Sequence, residues 1–193
     1  MLSVLEQFQL DPQTWMRAGG NRGDVAKEID SAFEERGWAE RRLDLKTHAF
    51  LLDRKGQVKT TFDPVYQEGY LVDNVKGRVA LDVEWNAIDG NLDRDMTAYR
   101  SWHEAGAITA AVIITKHQAS LRSLLNRLWG DYNNARDIQL QVTKPPIDMA
   151  TSTTTNFEKA ELRIRRGVMG TCPLLVMGVS ESTWNGKAYL GTD

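Results

Sequence analysis

Asp73, Asp82 and Glu84 are the residues whose types and spacing could do chemistry. They lie in VDNVKGRVALDVEWN, residues 72 to 86. The second half alternates strictly, with Val79, Leu81, Val83 and Trp85 set against Ala80, Asp82, Glu84 and Asn86. That is the two-residue period of a strand with one apolar and one acidic face. Lys76-Gly77 sits where a two-residue turn could reverse the chain, running residues 71 to 75 antiparallel to residues 78 to 86. In that register Asp73 stands opposite Ala80 and Asp82 is its diagonal neighbour, roughly 7 Å away. The three carboxylates then share one patch, where like charges repel and raise each other's pKa values. A divalent cation relieves this, since Mg²⁺ takes one or two carboxylates and completes its shell with water and substrate phosphate. The same spacing also describes an ordinary solvated face of an antiparallel sheet.

The elements that must position these acids are legible on either side. Residues 24 to 36 place Val25, Ile29 and Phe33 at helical spacing, and Gly37 ends the helix. Residues 38 to 53 and 58 to 62 read as strands or extended segments, followed by the hairpin region from 66 to 86. A helix opens after Gly90 with Asp93 and Asp95 in its first turns and stops at Gly106. AAVIIT, residues 110 to 115, is a continuous apolar run suited to a strand covered on both faces. Residues 118 to 129 carry leucines at 121, 124, 125 and 128, a helical stripe that suits either core or a subunit contact. A short helix over 157 to 165, a Gly167/Gly170 loop and a buried strand over 173 to 179 complete the pattern. Helices alternating with a hairpin and isolated buried strands predict an α/β fold with a mixed sheet.

At 193 residues the chain suits one domain spanning 1 to 193. Its net charge of −2 gives no global basic signature, so an anionic partner must be held by local clusters. The lone cysteine, Cys172, excludes an intrachain disulfide and favours a reducing cytoplasm. Neither an export signal nor a membrane span is expected from the apolar runs. His48, His103 and His117 lack metal-ligand spacing, which argues against zinc chemistry.

Asp73, eight intervening residues and then Asp82-Val83-Glu84 match the pattern of PD-(D/E)xK nucleases. The longer string VDNVKGRVALDVEWN resembles the hairpin of restriction endonucleases of the BglII group. RIRRGVMGTCPLLVMGV resembles the Gly-rich approach to that group's last core strand, and Gly37-Trp38 fits as well. The resemblance implies a PD-(D/E)xK restriction-endonuclease-like core, a mixed central sheet flanked by helices. It also implies Mg²⁺-dependent cleavage of double-stranded DNA, with Mn²⁺ as a substitute, by a homodimer at a short palindromic site. Two departures stand out: Asp82 replaces the group's usual Glu, and Glu84 replaces the usual Lys or Gln. A Glu there resembles the BamHI arrangement.

On this reading Asp73 and Asp82 hold the metal and Glu84 positions or deprotonates the attacking water. Glu28, on the flank of the first helix, is a candidate extra metal-site acid, because the fold lends one from that helix. Asn86, Asp89, Arg94 and Asp95 follow the triplet and either support the site and the DNA backbone or cap the next helix. Arg163, Arg165 and Arg166 form the densest basic cluster and suit phosphate contacts. The Ser/Thr-rich residues 151 to 155 suit either DNA contact or a plain connection. Two rival readings remain: a structure-directed repair or recombination nuclease of the same fold, and a DNA-binding or interaction module whose acidic face is not catalytic.

Overall fold

The computed structural model describes residues 2–16, 23–142 and 153–191. Two short helices, α1 (Leu2–Leu5) and α2 (Pro12–Trp15), precede α3 (Asp24–Glu34). Val25, Ile29 and Phe33 bury one face of α3, and Gly37 leaves the helix with φ 79°, a left-handed angle that glycine adopts at little cost. Then come β1 (Ala39–Arg42), β2 (Leu45–Thr47), β3 (Phe50–Leu52), β4 (Val58–Thr61), β5 (Val65–Gln67), β6 (Leu71–Lys76) and β7 (Val79–Glu84). They are followed by α4 (Gly90–Glu104), β8 (Ala110–Lys116), α5 (Gln118–Asn134), α6 (Phe157–Arg165) and β9 (Leu174–Val179).

The central sheet has the order β1-β6-β7-β8-β9. Its first three strands are antiparallel and its last three parallel, so β7 is where the sheet changes character. Between β1 and β6 the chain makes two nested antiparallel ribbons, β2 with β5 and β3 with β4, which leave Phe50, Leu52, Val58 and Val65 exposed.

Alternation along β7 divides the core. Leu81, Val83 and Trp85 join Val112 and Ile114 of β8 with the buried faces of α3 and α5. Leu121, Leu124, Leu125 and Leu128 are at most 4% exposed, so the leucine stripe is core within one chain. Burying each such side chain stabilises the fold by roughly 1.5–3 kcal/mol. On the other face Ala80, Ala111 and Ile113 meet Leu92, Met96, Tyr99 and Trp102 of α4. The strand over 110 to 115 is covered on both faces as expected, but β9 is an edge strand with Leu175 exposed. Helix α5 runs five residues past the expected end at Trp129, because Tyr132 continues its inward stripe against Trp129 and Tyr189.

The hairpin register differs from the sequence expectation. The turn is Gly77-Arg78, one residue later than Lys76-Gly77, and pairs Lys76 with Val79, Val75 with Ala80 and Asn74 with Leu81. Gly77 has φ 59° while Arg78 keeps a negative φ, the pattern of a type II′ turn with glycine at its first central position. Moving the turn by one residue shifts the pairing by two, so every side chain keeps its face. Asp73 therefore faces Asp82 directly, one step beyond the last pair, and is not its diagonal neighbour.

Candidate active site

Where the β6–β7 ladder ends, carboxylates take over its hydrogen bonds. Asp82 Oδ1 accepts the Asp73 N–H at 2.8 Å, and Asp73 Oδ2 accepts the Val83 N–H at 3.3 Å. The other oxygen of Asp82, Oδ2, accepts the hydroxyl of Tyr99, a fully buried residue of α4. Burial, then the charge of Asp73, pushes the Asp82 carboxyl up to about 7. The Tyr99 phenol is in turn held well above its ordinary value, by burial first and then by the charge of Asp82.

Glu84 closes β7 two residues on and points to the same face. Its side chain is buried, and burial followed by the charges of Asp95, Asp82 and Asp73 pushes it up to about 9. Its backbone carbonyl accepts two hydroxyls, Thr115 Oγ1 at 2.6 Å and Thr155 Oγ1 at 3.0 Å.

Asp95 is the fourth acid of the patch, reaching it from α4. Arg94 grips its Oδ1 through Nε at 2.8 Å and Nη2 at 2.7 Å. Burial outweighs that pairing and keeps the Asp95 carboxyl above its usual range. Glu84 and Asp95 stand within hydrogen-bonding reach, yet both offer acceptor oxygens when ionised. Glu84 Oε2 and Asp95 Oδ2 are accordingly buried with no donor.

The donor set has the chemistry of a hard-cation site: Asp73, Asp82 and Glu84 on one face of the hairpin meet Asp95 of α4, all but Asp73 are buried, and Glu84 and Asp95 each keep an unsatisfied oxygen. Among the described residues no three acidic, histidine or cysteine side chains are already arranged as a cation's ligands. Asp82 is turned instead toward Tyr99 and the Asp73 amide, and Asp95 toward Arg94.

The other sequence candidates lie elsewhere. Glu28 is exposed on α3, beside a surface hollow lined by Val4, Gln7 and Phe8, and its carboxyl is raised by partial burial and then by Asp11. Helix α3 packs on the apolar side of β7, so Glu28 is separated from the acid patch by the sheet. The acid that α3 does direct at the hairpin is Asp30, which accepts Asn74 Nδ2 at 2.7 Å on that apolar side. Asn86 is half-buried and accepts Lys116 Nζ at 3.1 Å. The Lys116 ammonium is pulled down to about 8 by burial, then by Lys159. Arg163 is committed to Asp93, at 2.7 Å from both Nε and Nη2, and to Asp89 at 3.2 Å. Arg165 is exposed and pairs with Glu161, and Arg166 is exposed at the end of α6. Residues 151 and 152 lie outside the described residues. Thr153 and Thr155 bond the backbone of residues 87 to 89, and Thr154 accepts Lys116 Nζ at 3.0 Å.

Tyr99 was absent from the sequence candidates, although a signal for it exists. Asp95 and Tyr99 are four residues apart on the helix face that also carries Leu92, Met96 and Trp102. A carboxyl and a phenol on an otherwise apolar stripe must find polar partners on the strand it covers.

A family model, restriction endonuclease BglII/BglIII, matches residues 1–179 of the chain. A comparison with curated proteins finds no match. No helix among the described residues is long and apolar enough to cross a membrane.

Proposed function

The chain belongs to the BglII/BglIII restriction endonuclease family, and from that membership we propose a type II restriction endonuclease. It hydrolyses phosphodiester bonds of double-stranded DNA at a short palindromic site, with Mg²⁺ as its cation and Mn²⁺ as a substitute. A two-fold palindrome is matched by a two-fold protein, so the working form is a homodimer, located in the cytoplasm. We read the chain as one PD-(D/E)xK-type unit.

The observation that carries this reading is the convergence of Asp73, Asp82 and Glu84 at the end of the β6–β7 ladder. Asp73 and Asp82 are the residues to hold a divalent cation, which when bound polarises the scissile phosphate and acidifies water. In the uncompensated patch Glu84 keeps its proton at neutral pH, because its carboxyl is raised to about 9. Positive charge entering the patch lowers that value and frees the carboxylate to take a proton from the attacking water. No lysine follows Val83, so charge developing on the phosphate falls to the cation and to arginines outside the triplet.

Plasmid DNA incubated with the protein, with and without Mg²⁺, followed by end sequencing, tests the proposal. Discrete fragments with one common end sequence are expected. Smearing or preference for branched DNA indicates the repair-type nuclease, and absence of cleavage indicates the binding module.

A further inference from the structure

The acid patch contains one carboxyl more than the triplet supplies, and that carboxyl comes from a different element. Asp95 sits on α4, the helix covering the acidic face of β7, and is 5% exposed. Arg94 satisfies its Oδ1 but leaves Oδ2 buried without a donor. Across from it, Glu84 Oε2 is buried and lacks a donor too. A buried acceptor left unsatisfied costs roughly 1–3 kcal/mol, and two such acceptors facing each other as carboxylates cost more. With Glu84 protonated the two carboxyls satisfy each other through one shared proton, and once Glu84 ionises the pair is stable only around a cation. Arg94 cannot fill the gap, since both of its contacts go to the single oxygen Oδ1 and its guanidinium also lies over the Tyr70 ring at 5.2 Å.

Resting on the nuclease reading above, we propose that Asp95 is a direct ligand of the divalent cation, held together with Glu84 opposite Asp73 and Asp82. Helix α4 thereby becomes a working wall of the site as well as a cover for the sheet. Asp93, two residues earlier on the same helix, shows the contrast. It turns to Arg163, is 58% exposed, and carries an equal charge without reaching the patch.

The test is Mn²⁺ binding to the DNA-free protein, read as loss of the free-ion electron paramagnetic resonance signal, so that no cleavage is needed. Asp95→Asn is expected to weaken Mn²⁺ binding at least tenfold, while Asp93→Asn, removing the same charge, changes it less than twofold. Asp95→Ser provides a second, smaller variant in case the amide perturbs folding, and is expected to show the same loss. If both Asp95 variants keep affinity within twofold while Asp82→Asn loses it, Asp95 is not a ligand and the triplet reading stands. If the wild-type protein takes up no Mn²⁺, the nuclease reading and this inference fall together.

Discussion

Asp73 and Asp82 stand opposite each other across the hairpin, each carboxylate accepting a backbone N–H from the opposite strand, Asp82 that of Asp73 and Asp73 that of Val83. The two acids replace the final rungs of the ladder, so their positions are set by main-chain geometry. An amide at either place keeps one acceptor oxygen while removing a charge.

Asp82→Asn should therefore fold and still bind DNA, within a few-fold of wild type. Cleavage with Mg²⁺ should fall below detection, because one of the two cation-holding charges is gone. Parallel band-shift and plasmid-digestion assays check this, and near-normal cutting by the folded variant would take Asp82 out of the site.

Glu84→Gln separates two roles. Loss of a general base lowers the single-turnover rate by ~10²-fold or more, within the range for acid–base catalysis. If Glu84 handles the water, that deficit persists at saturating Mg²⁺ or Mn²⁺. Full rescue by metal would instead make Glu84 chiefly a ligand.

The raised carboxyls also fix a sign for stability against pH. Asp82 rises from 3.8 to about 7 and Glu84 from 4.5 to about 9, so the folded chain binds more protons than the unfolded chain between those limits. Stability of the metal-free protein should therefore fall as pH rises from 5 to 9, by on the order of a few kcal/mol. Urea unfolding across that range measures it, and Asp82→Asn should flatten the lower half of the slope. A wild-type profile that rises with pH would contradict the burial of these acids.

The arginines of α6 divide by their partners. Arg165→Ala with Arg166→Ala should weaken binding to all DNA sequences alike and lower the salt slope by about one unit per lost phosphate contact. Arg163→Ala should chiefly destabilise the protein, because it unties α6 from Asp89 and Asp93. Salt-dependent binding and thermal unfolding of the two variants distinguish these effects, and an unchanged salt slope in the first would place the phosphate contacts elsewhere.

The face assignment of Asp82 and Glu84 was legible because a period of two survives any turn placement that shifts pairing by two residues. Their direct opposition to Asp73 was not, since Gly77 can serve as either the first or the second residue of a two-residue turn, and only its φ of 59° beside a negative φ at Arg78 decides. The α3, α4 and α6 helices follow from apolar spacing and glycine stops. What spacing could not supply was the side of the sheet on which each helix packs. Glu28 and Asp95 are both acids on amphipathic helices, but α3 lies against Leu81 and Val83 whereas α4 lies against Ala80. That difference in tertiary placement removes one acid from the patch and adds the other. The commitment of Arg163 was hidden for the same reason, because its carboxylate partners are 70 and 74 residues away.

The carbonyl of Glu84 is held by hydroxyls from residues 31 and 71 positions along the chain, Thr115 and Thr155, both fully buried. A peptide anchored at two points from separate segments can neither flip nor slide. Glu84 is thus mounted on a fixed pivot, and its carboxyl moves only by rotation about its own side-chain bonds. Adjustment of the patch to a change in charge is left to those rotations and to α4, while half of the mount belongs to a segment that follows β1 to β8 and the helices α3, α4 and α5 in the chain.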